Sequence, residues 1–298
     1  MRHCGFFSYI PHMKKLVSGF LFWLAVMMLV NTIRAQQPMR IDSLPDLRIR
    51  TWIVKRLDSF EQVIRVYERA ADTLQKGRPA AVFFFGGGWN GRNIEQFHDQ
   101  SVHLARKGMV TIIADYRVKS INGTTPLQSL HDARSAMRFV RSHAPAWGID
   151  PGRIAAGGGS AGGHLAAACY TSDGLDDPQD DRAISSRPDL LLLFNPVIDN
   201  GPEGYGYARV KDWFPAFSPM HGIRKGFPPS IFFLGTKDDL IPVSTAEAFR
   251  EKIRAVGGRC DVHLYEGAGH GFFNQPRYRS DIWPKVDAFL AEHGYVKP

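Results

Sequence analysis

Two kinds of hydrophobic pattern follow one another along the chain. Residues 50–58 (RTWIVKRLD) and 60–70 (FEQVIRVYERA) nearly alternate apolar and polar positions, which predicts antiparallel strands at a sheet edge. From Ala80 the pattern becomes a series of short continuous apolar runs. These are AAVFFF (80–85), MVTIIADY (109–116), RIAAGGG (153–159), LLLLFNPVI (190–198), SIFFLG (230–235) and CDVHLYEG (260–267). Continuous apolar strands belong to parallel sheets covered on both faces.

Amphipathic segments separate these runs. In TPLQSLHDARSAMRFVRSHA, Leu127, Leu130, Ala133, Met137 and Val140 fall on one helical stripe. STAEAFREKIRAVGG opens with Ser244 as a cap, places Glu247 three residues on, and closes at Gly257. DIWPKVDAFLAEHG reads as a last helix stopped by Gly294. Strands alternating with helices of this length predict an α/β fold, with a mostly parallel sheet of about eight strands and helices on both faces. Residues 51–298 are expected to form one domain, preceded by a polar extension over 36–50 that wraps the surface.

At 298 residues with 44% hydrophobic content, the chain has material for a large core. The net charge of +8 raises the question of an anionic partner, but the N-terminus changes that. Met13 to Gln37 carries two lysines, an apolar run from Leu16 to Val30, and a small residue at Ala35, the layout of a secretory signal. The run is shorter than the roughly 20 residues of a membrane span. We therefore expect residues 1–35 to be a signal peptide, with Met13 as a possible start, and no stable membrane insertion after its cleavage. Export to the periplasm or the extracellular space follows. Cys4 precedes the apolar run, so no lipid-attachment cysteine ends it. Removing 1–35 takes away Arg2, Lys14, Lys15 and Arg34 and leaves a balance of +4, an ordinary surface with no sign of nucleic-acid binding. Cys169 and Cys260 remain, expected as buried free thiols, and no metal-ligand spacing is present.

The chemistry concentrates in RIAAGGGSAGGHLAAA, a strand, a tight turn and a helix. It contains Gly158-x-Ser160-x-Gly162, the pattern of a nucleophile elbow, where a serine hydroxyl stands clear because its neighbours are small. The same letters satisfy Gly157-x-Gly159-x-x-Gly162, a dinucleotide fingerprint. That alternative requires an acidic residue at the end of the next strand, and the chain offers there only the polar loop DGLDDPQDD. A serine needs a base, and the base needs an orienting acid. TKDDLIP follows one apolar run with Asp238 and Asp239, and AGHGFF follows the next with His270. Each candidate taken singly is ordinary; the three in this order, each after its own strand, are not. His164, His263 and His293 lie in a strand or on helices and are disfavoured.

GGSAGGHLAA, FFGGGW, GTKDDLIP and GAGHGFF together resemble the α/β-hydrolase esterases, near the hormone-sensitive-lipase-like and acetyl (xylan) esterase branches, over about residues 50 to 295. The resemblance implies Ser160 as nucleophile, His270 as general base and acid, and Asp238, in preference to Asp239, as the orienting carboxylate. It implies an oxyanion hole from the N–H groups of Gly87, Gly88 and Ala161, and no cofactor or metal. One departure stands out. The lipase-like motif is His-Gly-Gly-Gly, and Phe85 occupies the histidine's place.

The substrate is less legible. Between Ile198 and Ser230, where lipase relatives insert a cap, the chain is short and rich in glycine, proline and aromatics. An open site with a minimal cap is expected, taking a small acyl group from a bulky alcohol; an exported enzyme with such a site resembles the carbohydrate O-acetyl esterases, which implies an acetyl group on carbohydrate. Trp89, Tyr205, Tyr207, Trp213, Phe214 and Phe217 are candidates to stack on sugar rings, although packing of the loop is the better account of most of them. A serine exopeptidase and a non-catalytic binding protein of the same fold remain alternatives. Peptide against ester substrates tests the first, and fluorophosphonate labelling tests the second.

Overall fold

The computed structural model describes residues 41–57, 60–72 and 74–297. The signal expected over residues 1–35 lies outside them. Nine strands among the described residues form one sheet in the order β1-β2-β3-β5-β4-β6-β7-β8-β9. These are β1 Ile41–Leu44, β2 Leu47–Leu57, β3 Phe60–Arg69, β4 Arg78–Phe84, β5 Val110–Ala114, β6 Ile149–Gly159, β7 Leu190–Phe194, β8 Ser230–Gly235 and β9 Cys260–Tyr265. The alternating segments pair antiparallel as β1–β2, β2–β3 and β3–β5. All the pairs from β5 through β4, β6, β7 and β8 to β9 are parallel. The expected α/β architecture is therefore present, with one correction at its N-terminal edge. Residues 41–44 and 47–50 are not a surface wrap but strand, because their backbone groups find a ladder in the β2–β3 hairpin.

Alternation along β4 explains its unbroken apolar character. Val82 and Phe84 enter the core on one face of the sheet, while Ala81 and Phe83 enter the core on the other. The helices covering these faces are α1 His98–Arg106, α3 Pro126–His143, α4 Ala161–Thr171, α6 Val243–Ala255 and α7 Pro276–Glu292, with short turns α2 Lys119–Asn122 and α5 Tyr207–Val210. In α3, Leu130, Ala133, Met137 and Val140 are buried, and the Thr125 N–H donates to Gln128 Oε1 at 2.9 Å at its start. Leu127, from the same stripe, is only half-buried.

Two boundaries differ from expectation. Helix α6 begins at Val243 behind Pro242, so Ser244 lies inside its first turn instead of capping it. Helix α1 has no counterpart in the sequence reading. Its segment HDQSVHLAR is mostly polar, and it is held by burying Leu104 and Ala105 together with Gln100 and Ser101.

Candidate active site

Parallel strands end at one edge of the sheet, and the loops beyond β4, β6, β7, β8 and β9 meet there. Ser160 sits between β6 and α4 at φ 51°, ψ −117°, a left-handed conformation costly for a side chain. The turn closes only because glycine follows. A Cβ on Gly162 would overlap the carbonyl oxygens of Phe84 and Phe85. Ser160 N–H donates to Phe194 O at 3.0 Å, and its carbonyl accepts from Val197 N–H at 3.1 Å, which pins the strained turn to β7 and its loop.

His270, beyond β9, lies between the other two expected residues. Its Nε2 is 2.9 Å from Ser160 Oγ, and its Nδ1 is 2.8 and 3.0 Å from the Asp238 carboxylate oxygens. The Asp238 side chain is fully buried, and its Oδ1 also accepts from the N–H groups of Leu240 and Ile241, each at 2.9 Å. Those backbone bonds fix the carboxylate plane against the imidazole. Asp239 takes no part in this contact. The rival histidines are elsewhere. His164 is buried in α4 and donates from Nε2 to Phe217 O at 2.8 Å, His263 stacks on Phe233, and His293 caps α7.

The glycine loop after β4 curls over Ser160. Gly87 has φ 127°, and a Cβ there would overlap Gly91 O. Its carbonyl accepts from the N–H groups of Asn90 and Gly91 at 3.0 and 2.9 Å. Because a peptide unit is planar and trans, that bond turns the Gly88 N–H the opposite way. Among the described residues, the N–H groups of Gly87, Gly88 and Ala161 have no protein acceptor. Gly86 N–H, by contrast, donates to Gln96 Oε1 at 2.6 Å. Phe85 is buried and stacks on Tyr116 with ring centroids 4.0 Å apart, while Tyr116 Oη donates to Phe85 O at 2.6 Å.

A cavity of about 540 Å3 opens over Ser160 and His270. Asn90, Gln96, Asn195, Asn274, Tyr205 and Arg209 supply its polar lining, with Leu240 and Phe273 as apolar members. Of the proposed sugar contacts, only Tyr205 lines it. Trp89 is a correction: it is buried, edge-on to His164 and Phe217, and belongs to the core. Trp213 packs towards Phe217, and Tyr207 stands edge-on to Phe214; neither borders the cavity.

Asn195 was missed by sequence reasoning. It is buried at φ 35°, its Nδ2 is 3.3 Å from His270 Nε2, and its Oδ1 accepts from Gly271 N–H at 3.3 Å. A signal was present, an asparagine immediately after an apolar strand, but nothing local ties it to a histidine 75 residues on.

The acidic loop after α4 is also explained. Asp176 pairs with Arg134 at 2.8 Å and with Arg138, Asp180 pairs with Arg138 at 2.8 Å, and Asp177 pairs with Lys55 at 2.7 Å. These carboxylates clasp the loop to α3 and β2. Cys169 and Cys260 are free and buried, and burial pushes both thiols up to about 12.

Comparison with known proteins agrees with this geometry. A family model named BD-FAE matches residues 66–199, and the dienelactone hydrolase family model matches residues 208–294. Esterase 2 of Thermogutta terrifontis, solved phosphoramylated by tabun, is 39% identical, with a TM-score of 0.79 over 86% of this chain and 98% of that one. The chain belongs to the α/β-hydrolase esterases. The propionate-bound structure of that esterase superposes with a TM-score of 0.76, at 39% identity over 83% of this chain and 95% of that one. Among curated relatives, esterase LipC of Mycobacterium tuberculosis is 30% identical over 76% of this chain and 62% of its own length. The acetylxylan esterase of Xylanibacter ruminicola is 26% identical over 63% of this chain and 39% of its own length. The chain thus spans less than two thirds of the length of each of these two curated relatives.

Proposed function

We propose that the protein is a serine carboxylic-ester hydrolase that removes small acyl groups, acetyl above all, from carbohydrate. The observation that carries the reaction is the His270 imidazole bridging Ser160 Oγ and the buried Asp238 carboxylate. Nδ1–H donates to Asp238, so the Nε2 lone pair faces the serine hydroxyl and accepts its proton as Oγ attacks the ester carbonyl. The oxyanion is held by the N–H groups of Gly87, Gly88 and Ala161. His270 then protonates the departing alkoxide, and water, deprotonated by the same Nε2, releases the acid from the acyl-enzyme.

Ser160→Ala is expected to lose at least about 1000-fold in turnover of p-nitrophenyl acetate. A variant as fast as the wild type would end this assignment. Labelling of Ser160 by a fluorophosphonate separates the enzyme from a non-catalytic binding protein.

The short segment between β7 and β8, with only the α5 turn and two single 3-10 turns, supports an open site and a small acyl group. Propionate bound to the Thermogutta esterase is in keeping with that size. The amide-rich lining and the acetylxylan esterase relative support a carbohydrate alcohol. Acetate release from acetylated xylan tests the alcohol, and p-nitrophenyl acetate against p-nitrophenyl octanoate tests the acyl group; faster cleavage of the octanoate would overturn the acyl assignment. The leader pattern over residues 1–35 supports export, which cell fractionation tests.

A further inference from the structure

Among the described residues, the lining of the catalytic cavity contains no aspartate or glutamate and one permanent cation, Arg209. Its guanidinium lies 5.0 Å from the Trp89 ring and 5.2 Å from the Tyr205 ring, and its Nη1 donates to Gly88 O at 2.7 Å. Two aromatic faces and one backbone carbonyl therefore hold the group in place. Among the described residues, Arg209 has no carboxylate partner, unlike Arg92, Arg117 and Arg138, which each pair with an aspartate. The remaining N–H donors of its planar fork match a carboxylate geometrically.

Position decides which part of an ester such a carboxylate belongs to. Arg209 is exposed, at the open rim of the cavity, whereas Ser160 at its floor is buried. A small acyl group bound near Ser160 has no atoms at the rim. A larger alcohol does, because its bulk has only the open side of the cavity to extend into.

We propose that Arg209 selects esters whose alcohol carries a carboxylate, so that the favoured carbohydrate is an acylated uronic acid or a polymer containing one. This rests on the serine-esterase reading above and narrows its substrate class. Asn90 and Asn274, which share the lining, offer amide groups to the neighbouring hydroxyls.

The test compares two substrate pairs in the wild type, Arg209→Lys and Arg209→Gln. One pair is an O-acetylated methyl glucuronoside against the same acetylated methyl glucoside. The other places the charge on the acyl side, mono-p-nitrophenyl succinate against p-nitrophenyl butyrate. The wild type is expected to favour the glucuronoside in kcat/KM by about tenfold, the value of one charge-assisted contact. Arg209→Gln should abolish that ratio, Arg209→Lys should retain part of it, and added salt should lower it in the wild type. Ratios, not absolute rates, are read, because losing the bond to Gly88 O slows both members of a pair. An equal ratio in wild type and Arg209→Gln overturns the proposal, as does a preference confined to the succinate pair. Failure of the esterase reading would look different: no hydrolysis of the neutral esters and no fluorophosphonate labelling.

Discussion

Phe85 and Tyr116 stack almost face to face, centroids 4.0 Å apart and planes 11° from parallel, while the Tyr116 hydroxyl donates to the Phe85 carbonyl. The pair braces the glycine loop from beneath, both by ring packing and by fixing the peptide between Phe85 and Gly86. Burial drives the Tyr116 phenol well above its ordinary range, so it stays a donor throughout the working pH. The departure from His-Gly-Gly-Gly is thereby accounted for without a histidine.

Restoring the histidine should harm the protein. In Phe85→His, an imidazole replaces a wholly buried apolar ring without a prepared hydrogen-bond partner, at a cost of about 2 kcal/mol. The urea midpoint and the turnover of p-nitrophenyl acetate should both fall. Higher turnover with an unchanged midpoint would show that the aromatic brace is dispensable.

The Gly87 backbone permits no side chain. In Gly87→Ala the Cβ would run into Gly91 O at a φ that L-residues rarely adopt, so the loop must shift and misdirect its N–H groups. A loss of about 100- to 1000-fold in kcat is expected, with the circular dichroism spectrum preserved. Retention of more than half the activity would remove Gly87 and Gly88 from the oxyanion hole.

Asn195 positions His270 by contacting Nε2 and by accepting from the next residue's N–H. Asn195→Gly keeps the backbone freedom that φ 35° demands and deletes only the amide. Loss of one such bond predicts about a tenfold fall in kcat with KM little changed. Asn195→Ala should add a stability loss that Asn195→Gly lacks, which thermal denaturation measures. A rise in KM at constant kcat would instead make Asn195 a substrate contact.

His164 ties stability to pH. Burial holds its imidazole down at about 3, whereas in the unfolded chain it takes up a proton near 6.5. The unfolded state therefore binds more protons below pH 6.5, and stability falls as pH drops from there towards 3. At pH 5 the loss from this residue is about 2 kcal/mol. Denaturant titrations at pH 7 and 5 should show it, and His164→Phe should flatten the difference. An identical pH slope in the variant would assign the acid sensitivity elsewhere.

The apolar runs mark β4, β5, β7 and β8 as parallel strands, because a strand covered on both faces has few polar positions, whereas edge strand β9 carries Asp261 and His263 half-buried and is less distinct. The elbow around Ser160 and the order Ser160, Asp238, His270 are equally legible, since small residues and strand-end loops are local features. Helix α1 is not, because its polar segment folds by packing and not by periodicity. The aromatics show the limit most sharply: Trp89, Tyr205 and Trp213 look alike in a string, yet packing buries Trp89 against His164 and Phe217 and leaves Tyr205 at the cavity. Asn195 beside His270 and Arg209 over Trp89 join residues 75 and 120 positions apart. Local sequence determined which central strands form and which loops carry reactive groups. Only the tertiary structure decided which neighbours aim those groups, because contacts between distant loops arise from the stacking of strands and not from spacing along the chain.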